Sequence, residues 1–189
     1  MVAVADARGS ERFTAGGQSM GCATALYAGM EQPDRVQGMI LMNPPTAWEA
    51  RAANSASYRR LAKIGGLLGG SMLARIMGRN PERFLPGWLV NEIEAGVSGA
   101  VEGLKPMKRR TLSALFNGAA LTDLPAMESL GQINVPALIL GWTGDPTHPI
   151  ATAKELNELL PQSTLVVARD YAEFQSWPKL IREFAAQAG

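Results

Sequence analysis

Glu11-Arg-Phe-Thr-Ala-Gly-Gly-Gln-Ser-Met-Gly-Cys-Ala-Thr-Ala-Leu26 is the stretch on which the reading of this chain turns. Residues 11–15 carry a short strand candidate that ends in Gly16-Gly17. From Met20 to Gln32 the spacing predicts a helix. Met20, Ala23, Leu26, Tyr27 and Met30 recur at three- and four-residue steps, and Pro33 stops the run. Between them stands Gly17-Gln18-Ser19-Met20-Gly21, a G-x-S-x-G pentapeptide. Chance alone gives about 0.1 such matches at this composition, so the setting must carry the weight. The setting is strand, sharp turn, helix, which is what exposes a nucleophilic serine. A serine at such a turn takes a strained backbone, and flanking glycines relieve the clashes. Its hydroxyl then stands clear of the sheet at the helix N-terminus. The Met20 amide points into the same space and can donate to an oxyanion.

Working outward, Val36 to Met42 is a mostly apolar run closed by Asn43-Pro44-Pro45. Its brevity suits a strand buried on both faces. The second half repeats the scheme. Pro136 to Trp142 reads as a strand broken by Gly144-Asp145-Pro146. Ile150 to Leu160 reads as a helix with Ile150, Ala153, Leu156 and Leu160 on one side. Ser163 to Ala168 is a further strand, and Trp177, Leu180, Ile181 and Phe184 mark a closing helix. Strands alternating with helices predict a parallel sheet with right-handed crossovers. Residues 48–124 are helical in composition but punctuated by Gly65-Gly66, Gly69-Gly70, Gly78, Gly87, Gly96, Gly99 and Gly103. They read as several short helices with hinges.

These segments resemble the α/β-hydrolase fold. Phe13 to Leu26, then Pro33-Asp-Arg-Val36, then Met39 to Pro45, are similar to the family from its nucleophile elbow through the next strand. Val135 to Pro149 is similar to the strand and loop that carry the family's catalytic acid, and the match falls on Asp145. The middle segment resembles a helical cap. The branch it looks closest to holds small esterases and enol-lactonases. The resemblance implies an α/β fold: a partly parallel sheet with flanking helices and a helical cap insertion, in an incomplete α/β-hydrolase arrangement. Its core would be residues 1–47 and 125–189, with the N-terminal strands absent, and its cap residues 48–124.

Two departures stand out. The family carries its histidine in the loop after the last strand, but Ala168 to Trp177 contains none. The family also places several strands and a helix before the elbow, whereas this chain reaches the elbow within twenty residues. The missing part would supply the second oxyanion donor. It would also supply the strand beside Arg12 to Ala15, which is left as an edge with unpaired backbone groups. Such an edge predicts homo-oligomerisation, cover by the N-terminal residues, or aggregation.

The chemistry can be weighed without the family. A serine hydroxyl needs a base to act near neutral pH. The chain has one histidine, His148, in a loop at the C-terminal end of a strand, where parallel sheets place their sites. Asp145 or Asp170 can orient its ring. The reading is therefore a serine hydrolase acting on a small carboxylic ester or lactone. Ser19 is the nucleophile, His148 the base, Asp145 the acid and Met20 an oxyanion donor, and no metal or organic cofactor is implied. The rival reading is a catalytically silent, truncated or degenerate hydrolase that serves as a binding or assembly module. Against each role stands a plainer one. Ser19 can be a helix N-cap, Asp145 a turn residue, His148 and Asp170 loop groups, and Cys22 a small packed side chain.

Composition removes other classes. The 189 residues carry 18 Lys and Arg against 17 Asp and Glu, a net +1, which gives no electrostatic case for nucleic acid or an anionic membrane. Cys22 is the one cysteine, so no intrachain disulfide forms. One Cys and one His are too few for a Cys/His zinc site. No apolar run reaches the about 20 residues that span a bilayer. The N-terminus lacks a secretory pattern, so a cytoplasmic location is expected by default. Ile64 to Ser71 is Gly-rich but lacks the Lys-Ser/Thr ending of a phosphate loop. The basic run Lys105 to Arg110 reads as a solvated face.

Overall fold

The structure is a computed structural model and describes residues 1–92, 101–145 and 147–188. Gly96, Gly99 and Pro146 lie outside the described residues. Four strands form one sheet: β1 (Phe13–Gln18), β2 (Val36–Met42), β3 (Ala137–Trp142) and β4 (Ser163–Ala168). They lie side by side in chain order, and every neighbouring pair is parallel. Gln18 pairs with Met42, Met42 with Leu140, and Trp142 with Ala168, so all the C-terminal ends fall on one edge. All six residues of β3 are buried, as its unbroken apolar run requires.

The first strand corrects the sequence reading. It starts at Phe13, not Glu11, and runs on through Gly16, Gly17 and Gln18. Pairing with β2 holds the glycines extended to the last register position. Turn-prone residues are thus strand residues here because a neighbour supplies the hydrogen bonds. Among the described residues β1 pairs with β2 alone, so it forms an edge of the sheet. The N-terminal residues do not pair with it. They form a short helix, α1 (Val2–Ala7), with Ala5 buried. The Arg35 side chain ties this region down by donating to Asp6, to the Ser10 carbonyl and to the Glu11 carbonyl.

Helix α2 (Met20–Glu31) packs on β1 and β2. Its buried face is Cys22, Ala25, Leu26 and Gly29, so Tyr27, grouped with Leu26 by its spacing, is exposed. Small residues at 22, 25 and 29 let the helix lie close to the sheet.

The chain divides into two compact units. The first is Met1–Pro45, Leu124–Thr143 and His148–Gly189. It holds the sheet, α1, α2 and the later helices α7 (Met127–Leu130), α8 (Ile150–Leu159), α9 (Tyr171–Gln175) and α10 (Trp177–Ala188). The second is Thr46–Asp123 with Gly144–Thr147. It holds α3 (Trp48–Leu68), α4 (Gly70–Gly78), a 3-10 turn at Pro81–Arg83, α5 (Gly87–Glu92) and α6 (Arg109–Leu121).

The hinges expected at Gly65-Gly66 are absent, because α3 runs unbroken through both glycines. A side chain at Gly65 would meet Leu112 Cβ at 3.1 Å, so the glycines allow close approach of α3 and α6. The break falls instead at Gly69, whose φ of +83° favours glycine. Arg51 is buried in this unit. Its guanidinium donates to the carbonyls of Thr122, Thr46 and Ala119, and it lies over the Tyr58 ring. Asp123 accepts from the Trp48 amide and so caps the start of α3.

Candidate active site

Ser19 sits between β1 and α2 with φ 54° and ψ −119°, a region that non-glycine residues rarely occupy. Three contacts hold it there. Its amide donates to the Met42 carbonyl at 3.0 Å, its carbonyl accepts from the Cys22 amide at 2.9 Å, and β1 enters in register with β2. The turn is so tight that a Cβ at Gly17 would come within 2.2 Å of the Gly21 carbonyl oxygen. Glycine at 17 is a steric requirement of the turn. Ser19 occupies the N-cap position of α2, but its hydroxyl makes no capping bond. The hydroxyl is engaged elsewhere.

That engagement is with His148. The imidazole Nε2 lies 2.9 Å from Ser19 Oγ. His148 comes from the loop after β3, and β2 lies between β3 and β1 in the sheet. With the ring proton on Nδ1, Nε2 is an acceptor for the serine proton. Met20 opens α2, and its N–H belongs to the first turn, where no carbonyl of the helix is in reach.

Asp145 is buried. Its Oδ1 accepts from the Thr147 amide at 2.7 Å and from the Thr147 hydroxyl at 2.6 Å. This is local Asx-turn geometry, preceded by Gly144 at φ +83°. Asp170 is exposed and caps α9, where Oδ1 accepts from the Glu173 amide at 2.8 Å. The 168–177 loop otherwise serves packing. Trp142, Phe174 and Trp177 cluster there, with the two indoles stacked at 5.7 Å and Phe174 edge-on to Trp177 at 5.1 Å.

Cys22 is fully buried behind the elbow. Its thiol donates towards the carbonyls of Met42 and Gly17, and burial pushes its pKa up to about 12. It is a packed thiol. One residue escaped sequence reasoning. Asn43 directly follows β2, the strand between those that lead to Ser19 and His148. It is buried, takes φ 46°, and neither atom of its side-chain amide has a partner among the described residues. Asn tolerates this backbone better than most residues, and the Asn-Pro-Pro stretch was the available signal. Among the described residues, no group of three or more His, Cys, Asp or Glu could hold a metal ion.

This geometry can be set beside known proteins. A family profile for the alpha/beta hydrolase fold matches residues 1–91. A thermophilic esterase from Thermogutta terrifontis superposes with a TM-score of 0.79 at 20% identity, over 98% of this chain and 69% of that one. The chain has the α/β-hydrolase fold. An enol-lactonase from Burkholderia xenovorans gives a TM-score of 0.73 at 17% identity, over 97% of this chain and 69% of that one. A hydrolase from Pseudomonas aeruginosa gives 0.73 at 19% identity, over 99% and 68%. At such identities the likeness concerns fold. The chain thus presents about two thirds of a solved α/β-hydrolase, with a four-stranded, wholly parallel sheet.

Proposed function

We propose that this protein is a serine hydrolase of small carboxylic esters or lactones. The observation that carries the reading is the 2.9 Å contact between His148 Nε2 and Ser19 Oγ. Ser19 Oγ attacks the carbonyl carbon while His148 takes its proton. The oxygen that becomes negative faces the Met20 amide, at the positive end of α2. His148 then returns the proton to the leaving oxygen, and an acyl-serine remains. Water, deprotonated by His148, attacks the acyl carbon; the acyl C–Oγ bond breaks, His148 returns that proton to Ser19 Oγ, and the acid is released. Asp145, three residues before His148 in the chain, is assigned as the acid from its place in the sequence. The helical unit takes the part of the cap, from its position in the chain after β2.

The esterase and enol-lactonase among the similar structures favour this substrate class. The silent-module reading drew on the missing N-terminal part and on the histidine missing from the 168–177 loop, and the contact of His148 with Ser19 weighs against the second of these grounds. The open edge of β1 is the surface through which copies of the chain would pair. The test of the catalytic reading is turnover of p-nitrophenyl acetate and of a simple enol-lactone by the wild-type chain, with Ser19→Ala as control. Hydrolysis that Ser19→Ala abolishes supports it. Equal rates in both proteins contradict it.

A further inference from the structure

We propose that the end of α3 and the outer face of α4 dock this protein on anionic lipid bilayers. The proposal does not depend on Ser19 being catalytic. It starts from apolar side chains that face water. Leu67 is 72% exposed, and Leu68, Met72 and Ile76 are each just over 40% exposed. Met72 and Ile76 stand one turn apart on α4, and Leu68 precedes Met72 by the same step across the Gly69 break. The opposite face of α4 is already used, with Leu73 and Ala74 buried. Gly70 fixes the helix closely, because a side chain there would strike the Leu104 carbonyl.

Charge selects the partner. Arg75 on α4 and Arg79 at its C-cap are exposed like Met72 and Ile76, and Lys63 is exposed on α3. Arg109 lies against Gly69 at the α3–α4 corner. Arg75, Arg79 and Arg109 make no ion pair among the described residues. Apart from the buried Arg51, residues 50–81 hold five cationic side chains, all exposed, and no carboxylate. Cations interleaved with exposed aliphatic side chains on one surface suit a bilayer of anionic lipids. Single-stranded nucleic acid would instead want aromatic stacking platforms. Among the described residues no helix is long and apolar enough to cross a membrane, so the contact is peripheral. A net charge of +1 concealed this face because carboxylates elsewhere cancel it.

The test is co-sedimentation with vesicles of phosphatidylcholine alone and of phosphatidylcholine mixed with phosphatidylglycerol. Wild type should bind the mixed vesicles, release in high salt, and leave the neutral vesicles largely unbound. Each surface arginine contributes about fivefold in affinity. Arg75→Glu with Arg79→Glu should therefore weaken binding by about 25-fold or more. Met72→Ser with Ile76→Ser should weaken it at unchanged charge. Circular dichroism checks that both variants fold. Wild type that stays in solution with the mixed vesicles overturns the proposal, as does binding that neither variant weakens. A dimer that Met72→Ser with Ile76→Ser dissolves would give the face to a second copy and would also overturn it.

Discussion

His148 reaches Ser19 from the loop after β3, with Nε2 2.9 Å from Oγ, although 129 residues separate the two in sequence. The fold brings them together because β1, β2 and β3 are adjacent and parallel, so their C-terminal loops share one edge. The loop after β4, where the family resemblance implied a histidine, carries the Asp170 helix cap and an aromatic cluster.

If Ser19 and His148 act as one unit, their losses do not add. Ser19→Ala and His148→Ala should each lower kcat/KM for an ester by about 10⁴-fold or more, and the double variant should be no slower than either. Steady-state kinetics on the three proteins checks this. A double variant slower than the singles by the product of their effects would separate the two residues.

The elbow has no room at position 17. Gly17→Ala forces a Cβ to within 2.2 Å of backbone oxygen, and should cost about 3 kcal/mol of stability. A methyl group at position 16 would find its nearest neighbours 3.8 Å away, so Gly16→Ala should stay within about 1 kcal/mol. Urea unfolding of both variants gives the comparison, and equal destabilisation would contradict the elbow geometry.

Cys22 makes stability fall at alkaline pH. Its thiol is raised from 9.0 to about 12 in the folded chain by burial. The unfolded chain therefore loses the proton first. The contribution is whole below about pH 9 and is lost as pH rises towards 12, with a slope of at most about 1.4 kcal/mol per pH unit. Urea midpoints measured across that range should drop in the wild type and drop less in Cys22→Ala. Parallel curves would remove the thiol from the account.

The edge of β1 should show in solution. Sedimentation velocity over a concentration series should reveal association of the chain with itself, since β1 pairs with β2 alone among the described residues. A monomer at every concentration would contradict contact through that edge.

Much of the fold was legible where apolar runs are continuous. Val36 to Met42 and Ser163 to Ala168 have the bounds read from sequence, because both runs are closed by turn residues. Glycine misled the reading where tertiary contact outweighs local preference. Gly16 and Gly17 stay in β1 through pairing, and Gly65-Gly66 stay in α3 through packing on α6. The helix α9 within the 168–177 loop was missed because its five residues give too short a pattern for periodicity. At the site, the G-x-S-x-G spacing named Ser19. Only the parallel order of the strands brings His148 to it, and no local pattern encodes that distance. Asn43 was hidden for a similar reason, since burial and an unpartnered amide are properties of the packed chain.

The most direct measurement is reaction of the folded chain with a fluorophosphonate, mapped by mass spectrometry. The probe reacts with a serine whose hydroxyl is activated by a base. The account predicts label on Ser19, none in Ser19→Ala, and strongly slowed labelling in His148→Ala. A folded wild-type chain that takes no label, or takes it equally without His148, would contradict the claim that this pair forms an active site.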